Sequence, residues 1–326
     1  MSIYSIEQDT LKQYHYLVGA GHSQRQACES LGVARSTMQD LLKRQPKSVE
    51  DMQPKFEGRI EGFSKGKGPK ILVIDLETAC TLFAGFGRFN QNFSQDSVYK
   101  EGDYILTAAW KWLGEDKVYS THIKDPDNRW NGNDLDVVSE IWDVLDQADI
   151  ALGQNVKSFD LGLVKARCAL HGLPPFRAVK VIDTLQIAKS MKFPSNKLDS
   201  LASYLGIGRK VSHSGIKLWL DVMKGDEQAL QDMIFYNKGD VLLTEEVYMR
   251  LRAFDTKPVN MAHFYDDELP RCSVCGSDDL EETGESTYTE ISEFKEIVCN
   301  NCGHRHRNRI AINSKEKRKN ILLTPR

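Results

Sequence analysis

Ile71-Leu72-Val73-Ile74-Asp75-Leu76-Glu77 is the stretch on which the fold of this 326-residue chain turns. An uninterrupted apolar run suits a strand buried on both faces. The run then becomes acidic. Residues two apart on a strand project to the same face, so Asp75 and Glu77 stand side by side. Two adjacent carboxylates repel, and at the end of a buried strand they need a compensating cation. Hard oxygen ligands of this kind suit Mg²⁺ or Mn²⁺. Taken alone, Asp-x-Glu reads more simply as a strand end that turns acidic at the surface.

Outward from this strand the chain alternates apolar runs and amphipathic helices. Tyr104–Leu113 and Val118–Ile123 read as strands joined by a turn at Gly114-Glu115-Asp116. Leu135, Val138, Ile141, Trp142 and Leu145 recur at helical spacing across Asp134–Asp146. Ile150–Gly153 reads as a strand, Leu161–Leu170 as a helix and Val179–Ile182 as a strand, followed mostly by helices. Strands first, then strands alternating with helices, predict an α/β fold with a mixed sheet and flanking helices.

Two further polar groups interrupt this pattern. Asn155-Val156-Lys157-Ser158-Phe159-Asp160 follows the strand ending at Gly153, where α/β sheets place their active sites. Asp160 by itself reads as a helix N-cap. Tyr236-Asn237-Lys238-Gly239-Asp240 lies in a helical stretch, where positions four apart share a face. By themselves, Tyr236 reads as a core residue and Asp240 as the cap of a new helix after Gly239. Asp183, near another strand end, reads as a helix cap.

The order of the three motifs changes their meaning. Together they resemble the tyrosine branch of the DEDD superfamily of 3′–5′ exonucleases, which has a ribonuclease H-like fold. Lys197-Leu-Asp-Ser-Leu-Ala-Ser-Tyr-Leu-Gly206 also looks like the helix before the third motif in exonuclease domains of family-B-type polymerases. The resemblance covers roughly residues 70–253 and implies a two-metal phosphodiester hydrolase using two Mg²⁺ or Mn²⁺ ions. It implies that Asp75 bridges both ions, that Glu77 and Asp240 hold the first, and that Asp160 contributes to the second. Tyr236 would orient the attacking water, and Asn155 and Phe159 would shape the cleft for the substrate's 3′ end. A segment from Phe83 to Gly102, bearing Phe86, Phe89 and Phe93, reads either as a surface insertion or as a loop stacking on bases.

The flanks carry separate signals. Residues 1–45 read as helical, and Gly21–Arg44 is similar to the helix-turn-helix domains of recombinases and transposases. Ser23 caps a helix with Ala27 and Leu31 inward, Gly32 allows the turn and Val33 plugs the core. Met38, Leu41 and Leu42 form the apolar side of the second helix. The resemblance places Arg35, Ser36, Thr37 and Gln39 to reach phosphates or base edges, and Lys43 and Arg44 to contact the backbone. A helical hairpin for protein contacts is the competing reading. Residues 46–69, punctuated by Pro and Gly, read as a linker to a core at 70–255. Cys272-x-x-Cys275 and Cys299-x-x-Cys302, each followed by Gly, bracket a β-like stretch. Four thiolates at this spacing suit one structural Zn²⁺ ion in a zinc ribbon at 268–312. Residues 313–326 form a basic tail.

Net charge is −3, so attraction to nucleic acid must come from local basic patches. No apolar run approaches the ~18 residues of a membrane span, and no secretory signal is evident, so a cytoplasmic location is expected. The expected substrate is DNA, single-stranded at its 3′ end in the active site and duplex at the helix-turn-helix. A transposase-like enzyme would use Asp, Asp and a final Glu instead of these motifs. A non-catalytic DNA-binding regulator would keep the core as a scaffold only.

Overall fold

The computed structural model describes residues 23–43, 68–87 and 92–324, with Thr10, Leu11, Gln13, Tyr14, Leu17 and Val18. The expected linker lies almost wholly outside these residues. After the helical residues Thr10, Leu11, Gln13, Tyr14, Leu17 and Val18 come two short helices, α1 (Gln24–Ser30) and α2 (Arg35–Lys43). Then follow β1 (Ile71–Thr78), β2 (Leu82–Phe83), β3 (Val98–Lys100), β4 (Ile105–Trp112) and β5 (Tyr119–His122). Next are α3 (Pro126–Asn131), α4 (Leu135–Gln147), β6 (Ile150–Gly153), α5 (Asp160–Leu170) and β7 (Lys180–Asp183). Helices α6 (Thr184–Lys189), α7 (Leu198–Tyr204), α8 (Ile216–Met223) and α9 (Glu227–Leu251) complete the core. Strands β8 (Leu280–Tyr288), β9 (Glu293–Cys299) and β10 (Arg305–Arg307) and a short basic helix, α10 (Lys315–Lys319), follow.

Five strands form one sheet in the order β5-β4-β1-β6-β7. β1 runs antiparallel to β4, and β4 antiparallel to β5. β6 and β7 continue the sheet in parallel with β1. This is the mixed sheet with flanking helices of a ribonuclease H-like fold. The tight β4–β5 connection turns at Gly114, whose φ of 91° lies in the left-handed region glycine tolerates.

The apolar strand β1 is buried because both faces are covered. Leu72, Ile74 and Leu76 pack in a cluster with Val138, Ile141 and Leu145 of α4 and Val164 of α5. Ile71 and Val73 face the other way, into a cluster with Leu201 of α7 and Val241, Val247 and Leu251 of α9. The segment after β1 is not one open loop. Leu82 and Phe83 pair with Lys100 and Val98 as a small antiparallel ribbon. Its closing end is tight: a side chain at Gly102 would meet the Cys80 carbonyl carbon and the Thr81 nitrogen at 2.3 Å.

Candidate active site

The alternation of β1 decides where its acids point. Asp75 and Glu77 share the face of Ile71 and Val73, over which α9 runs. That helix changes partners along its length. Ala229, Leu230, Met233 and Ile234 join the first cluster, whereas Val241, Val247, Tyr248 and Leu251 join the second. Between these apolar halves lie Tyr236, Asn237 and Asp240, all buried. At about 100° per residue they occupy one inward arc, with Asp240 between the other two. The helix passes unbroken through Gly239, so Asp240 caps nothing. Asp75, Glu77 and Asp240 bring carboxylate oxygens within 4.8 Å of one another.

Asp160 reaches this centre by a different route. β1 pairs with β6 only over Ile71–Val73 and then runs on alone along that edge. The N–H of Leu76, left unpaired by β6, donates to Asp160 Oδ1 at 3.1 Å. The N-cap reading of Asp160 is therefore corrected: Phe159 is the N-cap residue of α5 and makes no side-chain cap. Asp160 lies beside the triad, outside the group that closes to 4.8 Å.

The loop delivering Asp160 is held at both ends. A Cβ at Gly153 would meet Val156 Cβ at 2.7 Å and the Ile74 carbonyl oxygen at 2.9 Å, so only glycine lets strand and loop approach so closely. Asn155 adopts φ of 65°, and its N–H donates to Asp183 Oδ1 at 2.9 Å. Asp183 caps α6 as expected, accepting from Leu185 N at 3.0 Å, and so fastens the Asn155 turn as well. Phe159 stands at the surface, 44% exposed.

Crowding and loss of water strain these acids. Burial, then Asp240, Glu77 and Asp160, push the Asp75 carboxyl well above the usual range. Burial and Asp240 raise Glu77 to about 8, against the opposing pull of Lys210. Burial raises Asp160 to about 7, countered by backbone N–H donors. Burial also raises Asp240, again against Lys210. Burial, then the charge of Asp240, raises Tyr236 and keeps it a phenol.

Sequence reasoning missed the cation at this centre. Lys210 Nζ pairs with Asp240 Oδ2 and donates to Tyr236 Oη at 3.0 Å. Burial alone would lower its pKa, but Asp240, Tyr236 and Asp75 outweigh that and raise it. Lys210 comes from the loop between α7 and α8, where no periodicity marks one lysine above another. Trp219 of α8 slightly opposes the upward push on the Glu77 carboxyl. His213 packs edge-on against Trp219 and Tyr236, with centroids 5.0 and 4.8 Å away. Asn237 was missed too, although a polar residue on an inward arc of an otherwise apolar helix was a usable signal.

The donor set fits divalent cations. The ammonium of Lys210 acts on three carboxyl groups, those of Asp240, Asp75 and Glu77, and Asp240 Oδ1 is buried without a hydrogen-bond partner. A hard cation is what would let the acids ionise together.

At the N-terminal side, Ser23 and Gln26 form the reciprocal cap of α1. Ala27, Cys28, Met38 and Leu41 close a small core with Leu11 and Tyr14, and Gly32 turns at φ of 64°. Arg35, Ser36, Thr37 and Gln39 are exposed on α2. Arg44 and the side chain of Lys43 lie outside the described residues, as does Phe89. On the β2–β3 ribbon Phe83 stacks with Phe93 at 5.0 Å and Phe86 is fully exposed.

Near the C-terminal side, Cys272, Cys275, Cys299 and Cys302 bring their sulfurs within 4.8 Å of one another beside the β8–β9–β10 sheet. Crowded together they divide protons unequally. Cys299 and Cys275 are pushed toward thiolate, Cys275 to about 7, and Cys272 and Cys302 toward thiol. Val274 N donates to Cys272 Sγ at 3.4 Å. Four soft donors in this arrangement fit Zn²⁺. His306 Nε2 is 3.3 Å from Cys272 Sγ, and His304 Nδ1 is 2.8 Å from the Ala253 carbonyl.

A family model matches part of this architecture. Residues 102–252 match the family model of the RNase_H superfamily, and the chain carries such a domain there. The matched stretch includes Asp160, Tyr236 and Asp240, while β1 ahead of it supplies Asp75 and Glu77. Among solved structures, the family B DNA polymerase of the hyperthermophilic archaeon Pyrobaculum calidifontis is similar at 14% identity and a TM-score of 0.42. The similarity covers 57% of this chain and 25% of that polymerase, so the chain spans about a quarter of its length. No curated protein matches. No helix among the described residues is long and apolar enough to cross a membrane.

Proposed function

We propose that this chain is a metal-dependent 3′–5′ exonuclease that hydrolyses phosphodiester bonds at the 3′ ends of DNA. The observation that carries the reading is the meeting of Asp75, Glu77 and Asp240 within 4.8 Å, with Asp160 hydrogen-bonded to the intervening Leu76. Asp75, Glu77 and Asp240 would hold one divalent cation. Asp75 would share a second with Asp160. Bound there, Mg²⁺ or Mn²⁺ would offset the charge of the phosphodiester and acidify the attacking water.

The remaining work falls to the chain's own groups. Tyr236 keeps its proton, so its hydroxyl orients the water without acting as a base. Lys210, held against Asp240 and Tyr236, supplies a fixed positive charge where a phosphate would enter. Asn155 and Phe159 stand on the loop at the cleft, and Phe159 offers an exposed ring to a terminal sugar or base.

The flanks support DNA as the substrate. Arg35, Ser36, Thr37 and Gln39 lie exposed at the start of α2, as a recognition helix requires, and such a helix fits the major groove of B-form DNA. Residues 1–45 would be a helix-turn-helix domain with Lys43 and Arg44 on the backbone, and 70–255 the exonuclease domain. Residues 268–312 would be a zinc ribbon whose four cysteines hold one structural Zn²⁺. A transposase-like reading is disfavoured by Glu77 and Asp240, which together complete the triad.

The deciding experiment follows a 5′-labelled single strand with Mg²⁺ or Mn²⁺, alongside the same strand blocked at its 3′ end. A descending ladder that the block abolishes is expected. Cleavage indifferent to the block would make the enzyme an endonuclease, and no metal-dependent cleavage would make the core a scaffold.

A further inference from the structure

Asn237 is the neighbour of Tyr236 on α9 and is wholly buried, 0% exposed. Its amide is used on both sides. Nδ2 donates to Asp75 Oδ2 at 2.6 Å and to the Asp75 carbonyl oxygen at 3.1 Å. Oδ1 accepts from Thr107 Oγ1 at 3.3 Å. Thr107 lies on β4 directly across from Glu77 in the register of the sheet. The orientation of the amide is dictated by its neighbours, because only its NH₂ end can donate to a carboxylate.

We propose that Asn237 is a positioning residue of the acidic site. It ties down one oxygen of Asp75 and leaves the other to a divalent cation, while Thr107 holds the amide in place. The inference rests on the metal-dependent reading above. Asp75 stands against Glu77 and Asp240, and mutual repulsion favours turning its carboxylate away from both. A short hydrogen bond from a buried donor to a charged acceptor opposes that rotation. The donor is neutral, so it holds the carboxylate without competing with a cation for the site. Lys210 differs in this respect, since its charge on Asp240 occupies the place of part of the metal's own.

A second polar tie between β4 and α9 provides the control. Lys111 and Glu245, both buried, pair at 2.5 Å and fasten the same two elements without touching the acids. A merely structural role for Asn237 would make its loss equivalent to loss of this pair.

The test measures Mn²⁺ affinity of the full-length protein, without DNA, by titration calorimetry and by the paramagnetic resonance signal of free Mn²⁺. Asn237→Ala is expected to weaken Mn²⁺ binding by about ten- to a hundredfold, the range for groups that orient a metal ligand. In cleavage assays kcat should fall while KM for DNA stays unchanged. Thr107→Val removes a hydroxyl at nearly constant volume, and should shift affinity in the same direction by less. Lys111→Met/Glu245→Leu should leave Mn²⁺ affinity within about twofold of the parent. Parental affinity in Asn237→Ala overturns the inference, as does an equal loss in the Lys111→Met/Glu245→Leu control. A parent protein that binds no Mn²⁺ overturns the functional reading along with it, whereas a parent that binds and an Asn237→Ala variant that binds equally well removes this inference alone.

Discussion

Glu77, with its pKa raised to about 8, and Asp160, raised to about 7, each hold a proton over a range where the unfolded chain would have released it. The native state then binds more protons than the unfolded state, and stability falls as pH rises. For Glu77 the contribution is complete below its ordinary value near 4.5 and is lost as pH climbs through about 8. Divalent cations reverse the preference by favouring the ionised acids. Thermal melts in EDTA should therefore show Tm falling from pH 6 to pH 8.5, with the gain from added Mg²⁺ or Mn²⁺ growing over the same interval. A metal-induced gain that is flat with pH would mean the cation sits elsewhere. Substitution separates the roles. Asp240→Ala removes a proposed ligand and should abolish measurable cleavage, while Tyr236→Phe removes only an orienting hydroxyl and should slow kcat by roughly ten- to a hundredfold. Equal losses in single-turnover rates would contradict that division. The acids and Tyr236 were legible in the sequence because their motifs recur in a fixed order. Lys210 was not, since its partners lie 26 and 30 residues away along the chain and only the fold brings them together.

At the level of elements, strand lengths and helix faces were readable from apolar periodicity, and β1, β4, β5, β6 and β7 all form within a residue or two of expectation. How Asp160 is held was not readable, because its bond to Leu76 N depends on how far β1 outruns β6, a property of two strands at once. The pairing within the segment after β1 was likewise not readable. Pairing of Leu82 and Phe83 with Lys100 and Val98 is long-range, and neither short strand has enough residues to show alternation. Gly153 tests how tightly strand and loop are joined. Gly153→Ala would drive a methyl group against Val156 and the Ile74 carbonyl, a backbone atom that cannot swing aside. Overpacking of this kind costs about 1–3 kcal/mol. Because the displaced segment carries Asp160, cleavage should fall more than stability alone explains. Urea denaturation and steady-state rates on the same preparation would check this, and an unchanged midpoint would show that the loop relaxes freely.

Across the whole molecule, the small cysteine-bearing sheet is fastened to the core at the end of the helix that carries Tyr236 and Asp240. His304 bonds the Ala253 carbonyl just past α9, and Met261 N donates to Ser273 O at 2.8 Å. Loss of a metal from the four cysteines should therefore loosen the end of α9. Cys299→Ser is expected to lose the Zn²⁺ measured per chain by atomic absorption and to lower the Tm of the core. A core that melts unchanged would make the ribbon an independent appendage. The proposed role of the helices at the other end would act through concentration. With a net charge of −3 the chain has no general attraction for DNA, so anchoring by α1 and α2 would raise the local concentration of 3′ ends at the cleft. Arg35→Ala in the full chain should then raise KM for a duplex bearing a single-stranded 3′ tail while leaving kcat untouched. It should also reduce the salt dependence of duplex binding by about one unit of log–log slope if Arg35 contacts a phosphate. On a short single strand, which offers no major groove, the same variant should behave as the parent. A KM that rises equally on both substrates would place Arg35 in a general electrostatic role, and an unchanged KM on both would leave the two helices as a surface for protein partners.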